Sequence, residues 1–539
     1  MSKNLEIPLG KRTIVYRFLE ILPGFISYTA VILLFVLSIF NPVLGAIYLL
    51  VIIAVTLVKA IATAFRTVQG YKVMQGAKRV DWKKRLEDLK NPHEAYERLY
   101  GENYGSYNFS EHVANVKKMS VAEKGKYPDP NKIFNAIIMA AYNEGLETMV
   151  PSIEAVYNTT FDNQKIIFVL AYEERGGEEM EKNAKKLREM FRDKFYDFLI
   201  IKHPDGLKDE IKGKGPNLVY AGEKLSEYVR KKHIKSEDVI VTSLDSDNRM
   251  SEKYLDYLTY EFVMREDRQH LSYQPISIFT NNLWDVPAPM RIIAISNSFF
   301  NVISTMRPYT LRNFASHSQP LWALEEMGYW SKRTIVEDGH QYWRSLFHFK
   351  GDYAVLPIRV PIYQDAVLSE SFRETLKAQF IQLRRWDYGA SDVAYVGSKL
   401  FGKDKPMPFF QLFPKFVRLL DGHVTLAIMS PIVAFGGWVP MIMNLTSRHM
   451  VAYNLPNIVS TVQMLACIGL IITIIVSLRV LPKRPEKYKQ GKSVMMVLQW
   501  VLMPIVALVY TSLAAFYSQT RLMLGKYMEK FDVTKKVVK

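Results

Sequence analysis

This sequence has very little cysteine, no internal repeats and fewer acidic than basic residues, and each of these features limits the class of protein. It has one cysteine, Cys467, in 539 residues, which excludes a disulfide framework and a cysteine-rich metal site. It also lacks internal repeats and low-complexity segments, which excludes a solenoid. Acidic residues are in the minority, 53 against 70 Lys and Arg, and the formal net charge is +17. This balance suits nucleic acid, an anionic membrane face or a phosphate-bearing ligand.

Charged residues are absent from several long stretches, which decides among these partners. Lys59 is the one charged residue between 21 and 65, and an Asn-Pro pair divides that stretch into two segments of about 20 residues. Each segment is long enough to cross a bilayer core of about 30 Å. Three further stretches contain no Asp, Glu, Lys or Arg: 422–447, 449–478 and 493–520. The sequence therefore predicts a protein of the lipid bilayer, with no nucleic-acid partner.

The distribution of apolar and charged residues divides the chain into seven regions. We expect a basic N-terminus (1–20), a transmembrane hairpin of two helices (21–65), a linker of helices and loops (66–130), a soluble domain (131–400), interfacial amphipathic helices (401–421), a C-terminal transmembrane cluster of three or more segments (422–520) and a basic tail (521–539). A cleaved signal peptide is less favoured than the hairpin, because the two N-terminal segments follow each other without a small-residue cleavage pattern.

The orientation of the hairpin follows from its flanking charges. Basic residues such as Arg12 precede the first segment and others such as Arg66 follow the second, whereas the turn between them has none. By the positive-inside rule the soluble domain is expected on the cytosolic side of a multi-pass protein of the plasma (inner) membrane. The basic loop 479–492 is expected there too. If 493–520 crosses the membrane once, the Lys-rich tail lies outside, against the positive-inside rule. Pro504 lies within this segment, so a re-entrant hairpin or an interfacial segment is the alternative.

Four short apolar runs in the soluble domain predict buried strands. They are FNAIIMAAY (134–142), KIIFVLAYE (165–173), DFLIIKH (197–203) and DVIVTSLDSD (238–247). Stretches with helical periodicity lie between them, so the pattern predicts βαβ units with a parallel sheet. In such sheets ligands bind beyond the carboxyl ends of the strands.

Polar clusters follow three of these four runs. The clusters are Tyr142, Asn143 and Glu144 after the first run, Glu173 and Glu174 after the second, and Asp245, Ser246 and Asp247 after the fourth. Each cluster alone is equally compatible with a turn or a helix cap. Together, at the same edge of one sheet, they predict a ligand crevice.

Two of these clusters have a specific chemical use. Carboxylates spaced as in Asp245 and Asp247 bind a hard divalent cation directly or through water, and the cation then binds a diphosphate. Lys212 and Lys214 lie in the glycine-rich segment KGKGPN (212–217) ahead of a helical stretch, which suits phosphate oxygens. A solvated basic loop is the competing interpretation of the lysines.

The segment QLRRW (382–386) presents three complementary side chains. It lies in a stretch that is predicted to be helical, where Gln382, Arg385 and Trp386 share one face. An amide, a guanidinium and an indole suit a sugar hydroxyl, a phosphate and a sugar face, respectively. An interfacial amphipathic helix is the alternative, because Trp and Arg favour that location.

The segment IVEDGHQYW (335–343) places two acids side by side. The simple explanation for Glu337 and Asp338 is a helix start, since acids favour the positive end of a helix dipole. Whether the pair has a further role depends on the rest of the chain.

These motifs occur together in a recognisable order. YNE after the first run, DSD after the fourth, the ED pair and then QxxRW resemble the membrane-bound family-2 glycosyltransferases, which include the cellulose, chitin and hyaluronan synthases. The resemblance covers about residues 132 to 390, and the flanking apolar segments match the family architecture. The segment FDVTKK (531–536) is similar to a cytosolic FxVTxK element of cellulose-synthase-like proteins, which favours a cytosolic tail.

The resemblance implies a cytosolic GT-A domain with a Rossmann-like parallel sheet, Mg²⁺ or Mn²⁺, and a nucleotide-sugar donor, most simply a UDP-sugar. It implies an inverting hexosyltransferase with the following residue roles. Tyr142, Glu144 and Glu174 would bind the nucleoside, Lys214 and Arg385 the diphosphate, Asp245 the nucleotide and the metal, Asp247 the metal, and Gln382 and Trp386 the acceptor, with Asp338 as the base and Glu337 beside it.

The chain departs from the family pattern at two positions. Acids after the second strand are glutamates here, so either Glu173 or Glu174 must act where the family often has Asp, and Glu174 is our prediction. Val336 replaces the usual Thr before the ED pair. His317, in the segment ASHSQPLW, and His340 are isolated histidines, for which an incidental role is the simpler interpretation.

Several functions remain open at this point. The first is a processive polysaccharide synthase coupled to export, and the alternative is non-processive transfer to a lipid or short membrane-borne acceptor, which a small C-terminal cluster would suit. A non-catalytic scaffold is disfavoured because the acids are all present. A transporter would need ionisable residues within its spans, and the apolar stretches carry no fixed charge apart from Lys59.

Overall fold

The computed structural model describes residues 5–102, 105–444 and 450–528, and its centre is one mixed sheet of eight strands. Their order across the sheet is β3-β2-β1-β4-β7-β6-β8-β5. The strands are β1 (Phe134–Ala141), β2 (Ile166–Glu173), β3 (Asp197–His203), β4 (Val239–Asp245), β5 (Arg249–Met250), β6 (Leu271–Phe279), β7 (His317–Pro320) and β8 (Ala354–Gln364).

The four apolar runs form β1 to β4, and these four strands pair in parallel with one another, as the pattern predicts. The prediction of a parallel sheet throughout is wrong. The strand β7 is antiparallel to both β4 and β6, and β5 is antiparallel to β8. The strands β5 and β7 are too short, at two and four residues, to give an apolar run, and β7 is polar in sequence (HSQP). Their hydrogen bonds depend on neighbours that the local sequence does not reveal.

Among the described residues, twenty α-helices surround and extend from this sheet. They are α1 (Ile14–Phe40), α2 (Pro42–Arg79), α3 (Trp82–Asp88), α4 (Pro92–Leu99), α5 (Phe109–Ser120), α6 (Leu146–Tyr157), α7 (Gly177–Phe191), α8 (Lys214–Lys231), α9 (Tyr254–Met264), α10 (Ala288–Thr305), α11 (Leu321–Met327), α12 (Glu337–His348), α13 (Phe372–Asp387), α14 (Ser391–Phe401), α15 (Phe409–Phe435), α16 (Val439–Met443), α17 (Met450–Val480), α18 (Gly491–Leu498), α19 (Met503–Val506) and α20 (Leu513–Met523).

Helices cover both faces of the sheet, as alternate side chains of β1 illustrate. Ile137 and Met139 belong to one apolar cluster, which includes residues of α6, α7 and α9. Ala136 and Ile138 belong to a second cluster with residues of α8 and α11 on the opposite face. Because each fully buried aliphatic side chain contributes about 1.5–3 kcal/mol, these two layers hold the strand ends in a fixed arrangement.

Five helical segments among the described residues are long and apolar enough to cross a membrane. They are Ile14–Phe40, Pro42–Arg79, Phe409–Met443, Tyr453–Val480 and Gly491–Met523. The expectation of several apolar helices at both ends of the chain is therefore confirmed, whereas their orientation stays a prediction.

The helices do not end where the charge-free stretches end. The second continues to Arg79, well into the segment that we expected to be a linker, and α15 begins at Phe409 within the expected interfacial region. The segment with Pro504 is one helical run, interrupted by a 3₁₀ turn at Gln499–Leu502 and a π-helical turn at Ala507–Ser512. This segment is therefore not a re-entrant hairpin of two helices joined by a sharp turn. The FDVTKK segment lies outside the described residues.

The segment before α1 packs against α12 and α14. The carboxylate of Glu6 accepts a hydrogen bond from Ser331 Oγ at 2.7 Å and forms an ion pair with Arg344 at 3.0 Å. The hydroxyl of Tyr395 donates to the backbone oxygen of Leu5 at 3.0 Å. The N-terminal segment is therefore fixed to α12 and α14, close to the ED pair.

Candidate functional site

The carboxyl ends of β1, β2 and β4 lie side by side. Ala140 pairs with Asp245 across β1 and β4, and Ala141 pairs with Tyr172 across β1 and β2. Because all three strands are parallel, the polar clusters that follow them share one edge of the sheet. This is the edge at which the sequence predicts a ligand crevice.

Lys214 connects two parts of the sequence that are far apart. Its Nζ lies 2.5 Å from Asp245 Oδ1 and 3.6 Å from Glu337 Oε1. Burial alone would lower the pKa of this ammonium, but Asp245, Glu337 and Asp338 together raise it above its ordinary value. Lys214 therefore remains charged and links the DSD motif to the ED pair.

A glycine allows this close approach. A Cβ at Gly215 would lie 2.3 Å from the backbone oxygen of Ser331, which no side chain tolerates. The N-terminus of α8 is therefore packed directly against the segment that leads into the ED pair. The first residue of α8 is Lys214, and its cap residue Gly213 makes no side-chain cap hydrogen bond, so a charged side chain and a helix N-terminus coincide in a way that suits a phosphate group.

The ED pair begins α12, and both acids have raised pKa values. Glu337 is 3% exposed. Burial raises its pKa to about 7, although Lys214 lowers it, and Asp338 raises it further. Burial also raises the pKa of Asp338, which Lys214 and the backbone N–H of Gly339, at 2.7 Å, offset in part. The pair is thus a helix start in which Glu337 is buried and Asp338 is partly buried.

The two aspartates of DSD lie in a turn that several backbone bonds hold. The backbone N–H of Asn248 donates to the backbone oxygen of Asp245 at 3.0 Å, and Asn281 Nδ2 donates to the backbone oxygen of Asp247 at 3.3 Å. Asp245 has a side chain that is 33% exposed. The backbone of both aspartates is therefore held in place, while the side chain of Asp245 stays partly accessible to solvent.

The chemistry of this turn fits Mg²⁺ or Mn²⁺ bound in part by a ligand. In the described part of the chain, no group of three or more His, Cys, Asp or Glu side chains is placed to hold a metal ion. Asp245 and Asp247 provide two carboxylates, which are hard oxygen donors, and Mg²⁺ sites of this kind are completed by substrate phosphates and water.

Glu144 lies at the end of β1 and folds back on its own turn. Its Oε2 accepts the backbone N–H groups of Tyr142 at 2.7 Å and Asn143 at 3.1 Å. Burial raises the pKa of Glu144, these backbone bonds lower it, and the charge of Asp247 raises it. Glu144 therefore orders the turn that carries Tyr142 and lies near the DSD motif.

The structure separates the two glutamates that follow β2. Glu173 is buried, its carboxylate pairs with Arg175, and burial raises its pKa, as does the nearby charge of Glu144. Glu174 has a side chain that is 48% exposed and pairs with Lys202 at 3.3 Å. β2 ends at Glu173, and Glu174 begins a 3₁₀ turn, Glu174–Gly176. Glu173 is thus the buried acid at this strand end, whereas the predicted ligand contact of Glu174 stays a prediction.

Arg175, which the sequence analysis did not single out, also packs on the crevice. Its guanidinium lies 4.8 Å from the ring centre of Tyr142, within cation–π range. Asn217 is a second such residue. Its Nδ2 donates to the backbone oxygen of Ala171 at 2.9 Å and reaches that of Ala141 at 3.5 Å, which ties the ends of β1 and β2 together. The glycine-rich KGKGPN segment, which ends in this Asn, was the available signal.

The QxxRW segment forms the last turns of α13, which begins with a capping box of Ser371 and Glu374. Gln382 is buried and accepts a hydrogen bond from Gln379 at 3.0 Å. Trp386 is 38% exposed, and its ring centre lies 6.2 Å from that of Phe279, the last residue of β6. Arg385, one residue earlier, is partly buried.

These residues connect to the DSD motif through the segment after β6. Asn281, which bonds to the backbone of Asp247, is two residues beyond Phe279, which contacts Trp386. The structure thus joins Lys214, Asp245 and Glu337 directly, with Asp338 next to Glu337 in the chain, and joins Trp386 to them through β6. None of the four apolar runs corresponds to β6, so no local signal in the sequence points to Asn281.

The two histidines are buried and hydrogen-bonded. His317 Nε2 accepts from Trp330 Nε1 at 3.3 Å, and burial, together with the charge of Lys214, lowers the pKa of His317 to about 4. His340 Nδ1 lies 2.7 Å from Asp392 Oδ1. His317 is neutral and lies in the central strand β7, whereas the sequence suggested a polar loop.

Comparisons with known proteins give matches to solved structures alone. No protein-family model matches the sequence, and no curated protein matches it. Among solved structures, the chain is similar to a mannosyltransferase from Pyrobaculum calidifontis in complex with GDP-Man and Mn²⁺, at 13% identity and a TM-score of 0.38, over 77% of this chain and 99% of that one. It is also similar to residues 1–349 of TarS from S. aureus in complex with UDP, at 12% identity and a TM-score of 0.33, over 73% and 93%. At these values the matches carry no argument about this chain.

Proposed function

We propose that this protein is a membrane-bound inverting glycosyltransferase that moves a sugar from a nucleotide-sugar donor to a hydroxyl group of an acceptor. One observation carries the proposal: Lys214 lies within 2.5 Å of Asp245 and 3.6 Å of Glu337. A strand-end acid pair, a buried ammonium and an adjacent second acid pair are the groups that this reaction requires. The resemblance of the motif order to family-2 glycosyltransferases supports the same assignment.

The donor diphosphate would lie between α8 and the DSD turn. Lys214 and the N-terminus of α8 provide positive charge where negative charge develops on the departing nucleoside diphosphate. Arg385 is proposed to reach the same group from α13. Asp245 and Asp247 would hold Mg²⁺ or Mn²⁺, which supplies further charge stabilisation for the leaving group when it is bound.

The nucleoside would lie against Tyr142. Its ring is fixed by Arg175 on one side and by the backbone turn that Glu144 orders. Glu173 is the buried acid at the neighbouring strand end and is our candidate for a contact with the nucleoside. Glu174 is retained as a candidate only for long-range charge, since it faces Lys202.

Asp338 is proposed as the general base. The acceptor oxygen forms a bond to the anomeric carbon while the bond from that carbon to the diphosphate oxygen breaks, and the hydroxyl proton moves to Asp338. Burial raises the pKa of Asp338, which makes its carboxylate a better proton acceptor. Glu337 would hold Lys214 in place beside it. Gln382 and Trp386 would hold the acceptor for in-line attack.

The acceptor is proposed to be a growing polysaccharide at the membrane, with export through the helices, and transfer to a lipid-linked acceptor is the alternative. The location we propose is the plasma (inner) membrane, with the sheet domain in the cytosol.

The test is nucleoside diphosphate release by the full chain, purified in detergent, across a panel of UDP- and GDP-sugars with Mg²⁺, Mn²⁺ or a chelator. We expect one donor to turn over and the chelator to stop the reaction. If no donor in the panel either binds or turns over, the proposal is wrong. With a radio-labelled donor, a high-molecular-weight product supports a polysaccharide synthase, and a single lipid-linked sugar supports the alternative.

A further inference from the structure

The loop between α17 and α18 is strongly basic and exposed. Residues 479–492 contain six Lys or Arg and one Glu. Lys483, Arg484 and Lys489 are all exposed to solvent in the structure. The loop joins two helical segments that are apolar enough to cross a membrane, Tyr453–Val480 and Gly491–Met523. Its basic side chains therefore lie within a few residues of both candidate spans.

One side of this basic loop is attached to the sheet domain. The carboxylate of Asp285 pairs with Lys487 Nζ at 2.7 Å and accepts the hydroxyl of Tyr488 at 2.6 Å. Trp284 is buried, and its Nε1 donates to the backbone oxygen of Pro482 at 3.0 Å. The rings of Trp284 and Tyr488 are stacked, with their centres 6.5 Å apart.

The segment 281–285, which contacts the basic loop, also contacts the DSD turn. Residues 281–285 follow β6 directly, and Asn281 donates to the backbone oxygen of Asp247. Asn282 exchanges two hydrogen bonds with the backbone of Ala366, at 2.8 and 2.9 Å. A rigid five-residue segment therefore has the DSD turn at one end and the basic loop at the other.

We propose that the basic loop is a binding surface for anionic lipid headgroups and that its occupation stabilises the DSD turn through Asp285 and Asn281. The inference goes beyond sugar transfer and rests on the membrane location of α17 and α18. Anionic headgroups fit because several basic residues next to a span are attracted to a negative membrane surface, and this attraction falls off within about one Debye length, roughly 10 Å. Lys483, Arg484 and Lys489 provide the lipid contact, while Lys487 and Tyr488 provide the attachment to the sheet.

The first test measures lipid selectivity and needs no sugar donor. The full chain is reconstituted in phosphatidylcholine membranes with a trace of spin-labelled phosphatidylglycerol or spin-labelled phosphatidylcholine, and the motionally restricted fraction of each is measured by electron paramagnetic resonance. We expect phosphatidylglycerol to be preferred about twofold or more at low salt, and the preference to weaken as salt is added.

A matched pair of variants assigns the preference to the loop. The triple variant K483Q/R484Q/K489Q should lose most of the preference for phosphatidylglycerol. The control K182Q/K186Q/R188Q removes the same charges from the exposed face of α7 and should retain it. If the loop variant keeps the full preference, or the control loses it equally, the proposed surface is wrong.

The second test concerns the connection to the DSD turn. Transfer by the wild-type chain is expected to rise at least twofold when the membrane contains phosphatidylglycerol, and Asp285→Asn should keep the lipid preference while losing this rise. A rise that survives in Asp285→Asn overturns the connection. If no donor turns over at all, the proposed function fails, but the lipid-selectivity result still decides the binding surface.

Discussion

The ammonium of Lys214 lies 2.5 Å from a carboxylate oxygen of Asp245, in a position where it also faces Glu337. One cation therefore separates two acid groups that would otherwise repel each other across the crevice. Its location at the first residue of α8 means that the charge and the helix N-terminus act on the same point.

Replacing Lys214 by Met should impair donor binding and transfer together. The change removes the charge that balances Asp245 and Glu337, and we expect kcat/KM to fall by about 100-fold or more, as when a positioned electrostatic group is lost. Lys212→Met is the control, because Lys212 is exposed and pairs with Asp205 at 3.3 Å. Calorimetric binding of the nucleoside diphosphate and release assays measure the two effects. Equal losses in both variants would contradict the assignment.

Asp338→Asn should separate binding from chemistry. The amide cannot take a proton, so kcat should fall by about 10²–10⁴-fold while the nucleoside diphosphate Kd changes by less than about threefold. Glu326→Gln, on the exposed surface of α11, should leave both values unchanged. A variant that retains more than a tenth of the wild-type kcat would remove Asp338 from the base role.

Glu173→Gln and Glu174→Gln form a matched pair of adjacent substitutions. Glu173 is buried beside Arg175 and Glu144, so its loss should weaken nucleoside diphosphate binding by about tenfold, the effect of one charged hydrogen bond. Glu174 faces Lys202 at the surface, and its loss should change binding by less than about twofold. The reverse order of effects would restore Glu174 as the acid of the crevice.

Trp386→Leu should affect the acceptor more than the donor. The partly exposed indole is the proposed contact for the acceptor sugar, so transfer should fall by about tenfold while donor hydrolysis persists. Trp386→Phe keeps an aromatic face against Phe279 and should recover most of the transfer. Product analysis gives the ratio of transfer to hydrolysis. A ratio that is the same in the Leu variant and the wild type would exclude an acceptor contact.

Asp256 should make the stability of the sheet domain depend on pH. Burial raises its pKa to about 6, from 3.8, although the hydroxyl of Thr160 donates to it. A carboxyl group with a raised pKa destabilises the fold when it is charged. The destabilisation is absent below pH 3.8, grows between pH 3.8 and 6, and reaches about 3 kcal/mol above that range.

The variant Asp256→Asn removes this charge and retains an acceptor for Thr160. Its free energy of unfolding should exceed that of the wild type by about 1–3 kcal/mol at pH 8 and be within about 0.5 kcal/mol of it at pH 4. Denaturant unfolding in detergent, followed by tryptophan fluorescence, measures both. Asp193→Asn, at an exposed site, is the control and should change neither value. An identical difference at both pH values would show that the charge is not the cause.

The sequence predicted the elements whose signal is local. The runs that form β1, β2 and β4 are buried on both faces, so each reads as a continuous apolar segment. The strands β6 and β8 carry prolines within them, at Pro275, Pro357 and Pro361, and β6 has a register shift after Pro275. A proline within a run of residues argues against a strand when only the local sequence is considered. Here the pairing with neighbouring strands keeps β6 and β8 in the sheet despite their prolines.

The sequence predicts which kinds of side chain lie at the candidate site, but not which of two adjacent acids is the buried one. DSD lies at the end of β4, as strand-end reasoning predicts, and the ED pair lies at the start of α12, as the helix-start interpretation predicts. Glu173 and Glu174 have the same side chain, and only the direction of each from the end of β2 distinguishes them. The role of Asn281 depends on the position of β6 in the sheet, which no local pattern gave.

The helix Pro42–Arg79 has a consequence for where a product can form. Its 38 residues span about 57 Å, almost twice the thickness of a bilayer core of about 30 Å. Its last turn is fixed to the sheet domain, since Lys78 donates to the hydroxyl of Tyr363 at 2.9 Å and Lys253 donates to the backbone oxygen of Lys78 at 3.1 Å. This continuous helix therefore sets the distance between the sheet domain and the apolar end of the helix. Under the proposed function, that distance determines how far an acceptor must extend from the bilayer to enter the site.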